Sequence, residues 1–212
     1  MTPEAFVVFL DYSSVLIFAI TGALVASRAQ LDPVGFVFMA SLTAVGGGTL
    51  RDLILGRDMV FWVAQPAYVV MSAVTALVVF WTAHLFESRY KWLVWLDSVA
   101  LAIAVAAGAG VAIEGGFGPV IIIIMGVVTG TFGGLMRDVV GNEVPLVLKH
   151  RQLYLTAAFG GAAAAVVMLW SGFGSGPSLV VCTVVVWILR AGSLYWGWQL
   201  PLHHPRPPRM RG

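Results

Sequence analysis

The chain has 212 residues, of which 59% are hydrophobic and 10% charged, and a formal net charge of +2; its mean hydropathy is +0.92. A soluble domain carries roughly a quarter charged residues, so this composition excludes one and marks an integral membrane protein. With so few charges there is no basic surface for nucleic acid, and no nucleophile motif or phosphate loop argues for an enzyme or a bound cofactor.

Apolar runs near the length of about 20 residues that crosses a hydrocarbon core as helix fall at 6–27, 34–55, 67–86, 92–113, 119–140, 153–170 and 178–200. The N-terminus lacks a basic n-region and Asp11 interrupts the first run, so that run reads as a helix of the protein rather than a signal peptide,. The second run ends in Gly46-Gly47-Gly48-Thr49-Leu50-Arg51-Asp52, and the fifth ends in the related Phe132-Gly133-Gly134-Leu135-Met136-Arg137-Asp138. The fourth carries Asp97 near its start, as the first carries Asp11. The connection 171–177 is an uncharged Gly- and Ser-rich turn, and the seventh run contains Arg190 and Cys182. A single cysteine excludes an intrachain disulfide.

Shifting the sequence by 86 residues superposes Asp11 on Asp97, Gly22 on Gly108, Pro33 on Pro119, Gly47-Gly48 on Gly133-Gly134, Arg51-Asp52 on Arg137-Asp138 and Tyr68 on Tyr154. The chain therefore divides into a three-helix unit at 6–86, a second at 92–170, a seventh helix at 178–200 and a basic tail at 201–212. Three is odd, so the second unit enters the membrane from the opposite side, an inverted repeat. Arg28, Arg89, Lys91, Arg137, Lys149, Arg151, Arg206, Arg209 and Arg211 fall on one face, against Arg51 and Arg57 on the other. The positive-inside rule then puts the N-terminus outside and the C-terminus in the cytoplasm. Trp187, Tyr195, Trp196 and Trp198 form an aromatic belt at the inner end of the last helix,.

Glycine in a helix interior costs up to about 1 kcal/mol relative to alanine. Clusters of it signal either close helix packing or a kink. A break would expose carbonyls that suit a cation, and amides that suit an anion, at symmetry-related depths in the two repeats. Arg51, Asp52, Arg137 and Asp138 either reach the headgroups or line vestibules. Helix direction puts Asp11 at the depth of Arg51 and Asp97 at that of Arg137, so an Asp-Arg pair is expected in each repeat, neutralising charges costly to bury alone. Thr49, Thr131 and Ser41 are candidate neutral oxygen ligands, and no resident metal is expected. Gly126, Gly130 and Gly134 make a small-residue face suited to close helix contact, with Gly22 and Ala26 a smaller one,. The four histidines, His84, His150, His203 and His204, fall near span ends without zinc-like spacing,.

The paired Gly-Gly-x-x-Arg-Asp segments, on the second and fifth spans of a seven-span inverted repeat, resemble the prokaryotic trimeric intracellular cation (TRIC) channel family. The resemblance implies homotrimers in which each protomer has its own hourglass pore, lined by the glycine-kinked second and fifth helices, conducting monovalent cations, chiefly potassium. Met136-Arg137-Asp138-Val139 stands where animal relatives carry Lys-Glu-Val, so their voltage sensing and phosphoinositide regulation are not carried over. The same bacterial domain has been labelled a glycine transporter, which keeps a carrier for a small zwitterion as the alternative. A third reading is a membrane scaffold without transport. The place expected is the bacterial inner membrane, with membrane lipids and potassium ions as partners.

Overall fold

The structure is a computed structural model that describes residues 2–85, 88–149 and 153–201. Its helices are α1 (Pro3–Arg28), α2 (Pro33–Ile54), α3 (Phe61–Ala64), α4 (Ala67–Thr82), α5 (Arg89–Glu114), α6 (Pro119–Val140), α7 (Leu155–Trp170) and α8 (Ser175–Trp196). One 3₁₀ turn, Ala83–Leu85, continues α4, and another, Leu146–Leu148, follows α6. His150, Arg151, the basic tail beyond Pro201 and its two histidines lie outside the described residues.

Helix starts follow local chemistry. Pro3, Pro33 and Pro119 occupy first-turn positions, where their missing amide costs nothing,. Thr2 Oγ1 accepts from Ala5 N at 3.3 Å and Asp32 Oδ1 from Gly35 N at 2.7 Å, satisfying amides that α1 and α2 leave open,. The ends repeat themselves at the 86-residue offset. After α1 and α5, Gln30 and Gly116 both take positive φ, and after α2 and α6, Gly56 and Asn142 do so. The amides of Leu31 and Phe117 then donate back to Ala26 and Ala112 at 3.1 and 3.0 Å. Those of Arg57 and Glu143 donate to Asp52 and Asp138 at 3.1 and 2.8 Å. These are Schellman-type closures, and glycine or asparagine suits the left-handed position best.

Six helical segments are long and apolar enough to cross a membrane, the third of them α4 with its 3₁₀ extension; α7, with 16 residues, is a shorter apolar helix of about 24 Å,. This is a multi-pass membrane protein. The central element is α5, whose apolar window is 78% buried, against 28% for the α4 segment. α5 packs on α1, α6 and α8, α1 on α2 and α4, and α2 crosses α6. The outer faces carry exposed Phe38, Trp81, Val120, Phe159 and Trp170, as lipid-facing surfaces do,.

One sequence expectation, a break of the helices at the glycines, is corrected: α2 and α6 remain helical across Gly46–Gly48 and Gly133–Gly134. The glycines instead remove side chains at a helix crossing. A Cβ on Gly47 would overlap the Thr129 carbonyl oxygen, and one on Gly133 would overlap the Thr43 carbonyl oxygen. Backbones held this close leave no room for a side chain. The relation is reciprocal, since Thr43 and Thr129 are themselves 86 residues apart. The link after α2 contains the short helix α3. The Gly126, Gly130 and Gly134 face is used within the chain, against Val105, Leu101 and Tyr154.

Candidate functional site

Arg51 and Arg137 are fully buried. Neither extends to headgroups, so each must be neutralised in place. Arg51 Nε donates to Asp52 Oδ1 at 2.8 Å and Nη1 to Asp11 Oδ1 at 3.1 Å, joining α1 to α2. Arg137 Nε donates to Asp138 Oδ1 at 2.8 Å and Nη1 to Asp97 Oδ1 at 2.8 Å, joining α5 to α6. The two Asp-Arg pairs read from helix depth are thus formed, and each arginine also holds the aspartate that follows it.

The second oxygen of each following aspartate anchors the next segment. Asp52 Oδ2 accepts from Phe61 N at 2.8 Å, at the start of α3. Asp138 Oδ2 accepts from Leu146 N at 2.8 Å, at the start of the 3₁₀ turn. A carboxylate bonded to a cation and an amide at once makes a strong, directional tie, so each Arg-Asp dipeptide fixes both a helix pair and the chain that follows it.

The clusters then diverge. In the first, Arg57 Nη1 lies 3.8 Å from Asp52 Oδ1 with its side chain 48% exposed. The Arg51 guanidinium sits 5.3 Å from the centre of the Phe61 ring, and Tyr68 stacks on Tyr12 at 4.0 Å. In the second, Thr21 of α1 accepts a further bond from Arg137 Nη1 at 2.9 Å. Ser98 stands there in place of Tyr12, and the face of Tyr154 is covered by the buried Arg190 of α8, 4.7 Å from its centre. Arg190, which has no counterpart in the repeat, thereby joins the unrepeated helix to the second cluster. Asp11 keeps 12% of its side chain exposed, whereas Asp97 keeps none.

The glycines border these clusters. Gly46 meets Met136, Gly48 meets Phe61, and Gly134 lies beside the Tyr154 hydroxyl and Asp97 Oδ1. The three candidate neutral ligands are not brought together. Ser41 Oγ pairs with Ser72 Oγ at 2.9 Å on the side of α4. Thr49 Oγ1 donates to Val45 O at 2.7 Å and accepts from Trp62 Nε1 at 2.9 Å. Thr131 Oγ1 donates to Val127 O at 2.8 Å. Ser14, Thr43 and Thr129 instead border one narrow cavity together with Asp11, Gly47 and Phe61. Sequence reasoning missed them, although Thr43 and Thr129 match at the 86-residue offset. At the far end of α1, Arg28 bonds Glu143 at 3.0 Å and sits 5.0 Å from the Tyr90 ring centre, whose hydroxyl accepts from Lys149 Nζ at 2.6 Å.

Fold and site together define a multi-pass membrane protein built on a tight crossing of two glycine-bearing helices, each carrying a fully buried Arg-Asp cluster. A family model described as "Glycine transporter" matches the chain twice, over residues 8–84 and 94–170. The UPF0126 inner membrane protein YadS of Escherichia coli K12 is 34% identical over 92% of this chain and 95% of its own. Among solved structures, the TRIC trimeric intracellular cation channel orthologue from Rhodobacter sphaeroides is 46% identical, covering 91% of this chain and 98% of that one with a TM-score of 0.87. A prokaryotic TRIC channel crystallised in 0.5 M KCl is 25% identical over 93% of this chain and all of that one, with a TM-score of 0.85. The chain belongs to the prokaryotic TRIC family, whose bacterial sequence domain bears the glycine-transporter description.

Proposed function

We propose that the protein is a cation channel of the bacterial inner membrane, chiefly passing potassium, with one pore in each protomer of a homotrimer. The observation that carries this reading is the similarity, at 46% identity and a TM-score of 0.87, to a TRIC cation channel orthologue. The first cluster agrees with it: Asp11, with 12% of its side chain still exposed, offers a carboxylate beside α2 that suits a cation.

In this reading α2 and α6 line the path, with Gly46, Gly47, Gly48, Gly133 and Gly134 letting the two helices and their neighbours pack closely beside it. Asp11 and Asp97 form its charged approaches, and Arg51 and Arg137 shape the field without binding the permeant ion. The two three-helix units are inverted repeats, α7 spans as the sixth helix and α8 as the seventh. The N-terminus lies outside, and the Arg28, Tyr90 and Lys149 end faces the cytoplasm, where basic residues concentrate.

The description of the matching family model favours a second reading, a carrier for glycine or a similar zwitterion. Proteoliposomes separate the two. A channel passes rubidium down its gradient without saturation by amino acids and shows no counterflow of labelled glycine. Glycine counterflow with no rubidium uptake would replace the channel with the carrier.

A further inference from the structure

The 86-residue offset also superposes Arg28 on Glu114 and Arg57 on Glu143, the same two charges with their signs exchanged. All four stand at equivalent places. Arg28 and Glu114 end α1 and α5, and Arg57 and Glu143 follow the left-handed residues Gly56 and Asn142 beyond α2 and α6. Arg28 with Glu143, and Glu114 with Arg57, are therefore two couples at opposite ends of the molecule, each taking one member from each repeat. At the inner end the couple is made, with Arg28 Nη1 3.0 Å from Glu143 Oε1. At the outer end it is not: among the described residues Glu114 makes no ion pair, and Arg57 reaches instead to Asp52 Oδ1 at 3.8 Å.

Arg57 and Glu114 border an outer cavity of about 260 Å³, walled also by Leu55, Val111, Gly115 and Phe117. The inner counterparts are packed together. Gly141 stands where Leu55 does, and a Cβ on it would lie 2.7 Å from Val25 Cγ1, the counterpart of Val111. The signs account for the different pairing. Glu143 follows Asp138, whose like charge repels it towards Arg28. Arg57, in the same place in the first repeat, has two attractive choices, Asp52 behind it and Glu114 at the cavity. Glu4, where the second repeat has Tyr90, adds a carboxylate near Glu114. Asp52 is already bonded by Arg51 and by the Phe61 amide, so little holds the half-exposed Arg57 there. An exposed ion pair contributes little stability, which suits an arm that changes partners.

We propose that Arg57 is the moving arm of an outer gate: it swings from Asp52 to Glu114, crosses the cavity and closes the mouth near Asp11, as the couple of Arg28 and Glu143 closes the inner end. The proposal rests on the channel reading, and the structure is then the form open outside and closed inside.

The test exchanges the outer signs. Arg57→Glu with Glu114→Arg keeps the net charge and copies the inner arrangement: a glutamate following Asp52 is repelled, as Glu143 is by Asp138, and pairs across the cavity. Val111→Cys in a Cys182→Ser background reports closure, through its rate of modification by a neutral methanethiosulfonate in the purified full chain in detergent. Rubidium uptake by the same protein in liposomes reports flow. With the exchange, modification should slow about threefold, the scale of an exposed ion pair, and uptake should fall. Glu114→Arg alone sets two arginines against each other and keeps Arg57 on Asp52, so both rates should stay at or above the parent's. Glu114→Arg slowing both rates as much as the exchange would show an effect of local charge or bulk and overturn the proposal. Modification unchanged by the exchange would overturn it too, as would slowed modification with undiminished uptake. Slowed modification in protein whose parent takes up no rubidium would support the moving arm while removing the channel reading.

Discussion

Gly47→Ala puts the crossing of α2 and α6 under direct strain. The new methyl would overlap the Thr129 carbonyl oxygen and crowd its carbon and Cα, all backbone atoms of a continuous helix that no rotamer change can move aside. Forcing an extra methylene into a packed interface costs about 1–3 kcal/mol, and alanine returns up to about 1 kcal/mol of helix propensity. The net expectation is a loss of about 1–2 kcal/mol, or about 2–8 °C in melting temperature for a chain of this size. Gly176→Ala, in the first turn of α8 with nothing within 4 Å of the added Cβ, supplies the control. It should melt at or slightly above the wild type. Thermal unfolding of both variants in detergent, followed by tryptophan fluorescence, gives the comparison, and Gly47→Ala should also show reduced rubidium uptake. Were Gly47→Ala to melt with Gly176→Ala, the close crossing would not exist as described.

Arg137→Met leaves Asp97 and Asp138 buried without their cation, and a loss of about 3–5 kcal/mol is expected,; combining it with Asp97→Asn and Asp138→Asn should recover part of that, as a melting series would show. Glu143→Gln removes a partly exposed pair with Arg28 and should shift stability by less than about 1 kcal/mol,. Trp62→Phe deletes the bond from Nε1 to Thr49 and should cost about 1 kcal/mol, read from the same melting curves,. In a Cys182→Ser background, a cysteine at Arg57 should react with an impermeant thiol reagent added outside intact cells, and one at Arg28 should not; the reverse pattern would invert the proposed topology.

Much of this arrangement was legible because the chain states it twice. Asp, Gly-Gly and Arg-Asp recurring at a fixed offset are improbable in an apolar background, and helix rise alone placed Asp11 level with Arg51 and Asp97 level with Arg137,. What those glycines do was not legible. A glycine cluster weakens a lone helix and equally permits a close neighbour, and only the neighbour, here a Thr129 or Thr43 carbonyl, decides between them. α3 escaped notice because four residues of Phe-Trp-Val-Ala carry no period, and its start is fixed by Asp52, nine residues upstream. Ser14, Thr43 and Thr129 looked like ordinary helix hydroxyls, which usually bond a carbonyl one turn back. Three different helices bring them to one cavity, a relation between elements that spacing along the chain does not encode.

The most direct measurement is the reversal potential across a planar bilayer holding the purified protein in a potassium chloride gradient. Discrete openings that reverse near the potassium equilibrium potential are expected. Reversal near the chloride potential, or electrical silence from protein that exchanges labelled glycine in liposomes, would contradict a cation channel.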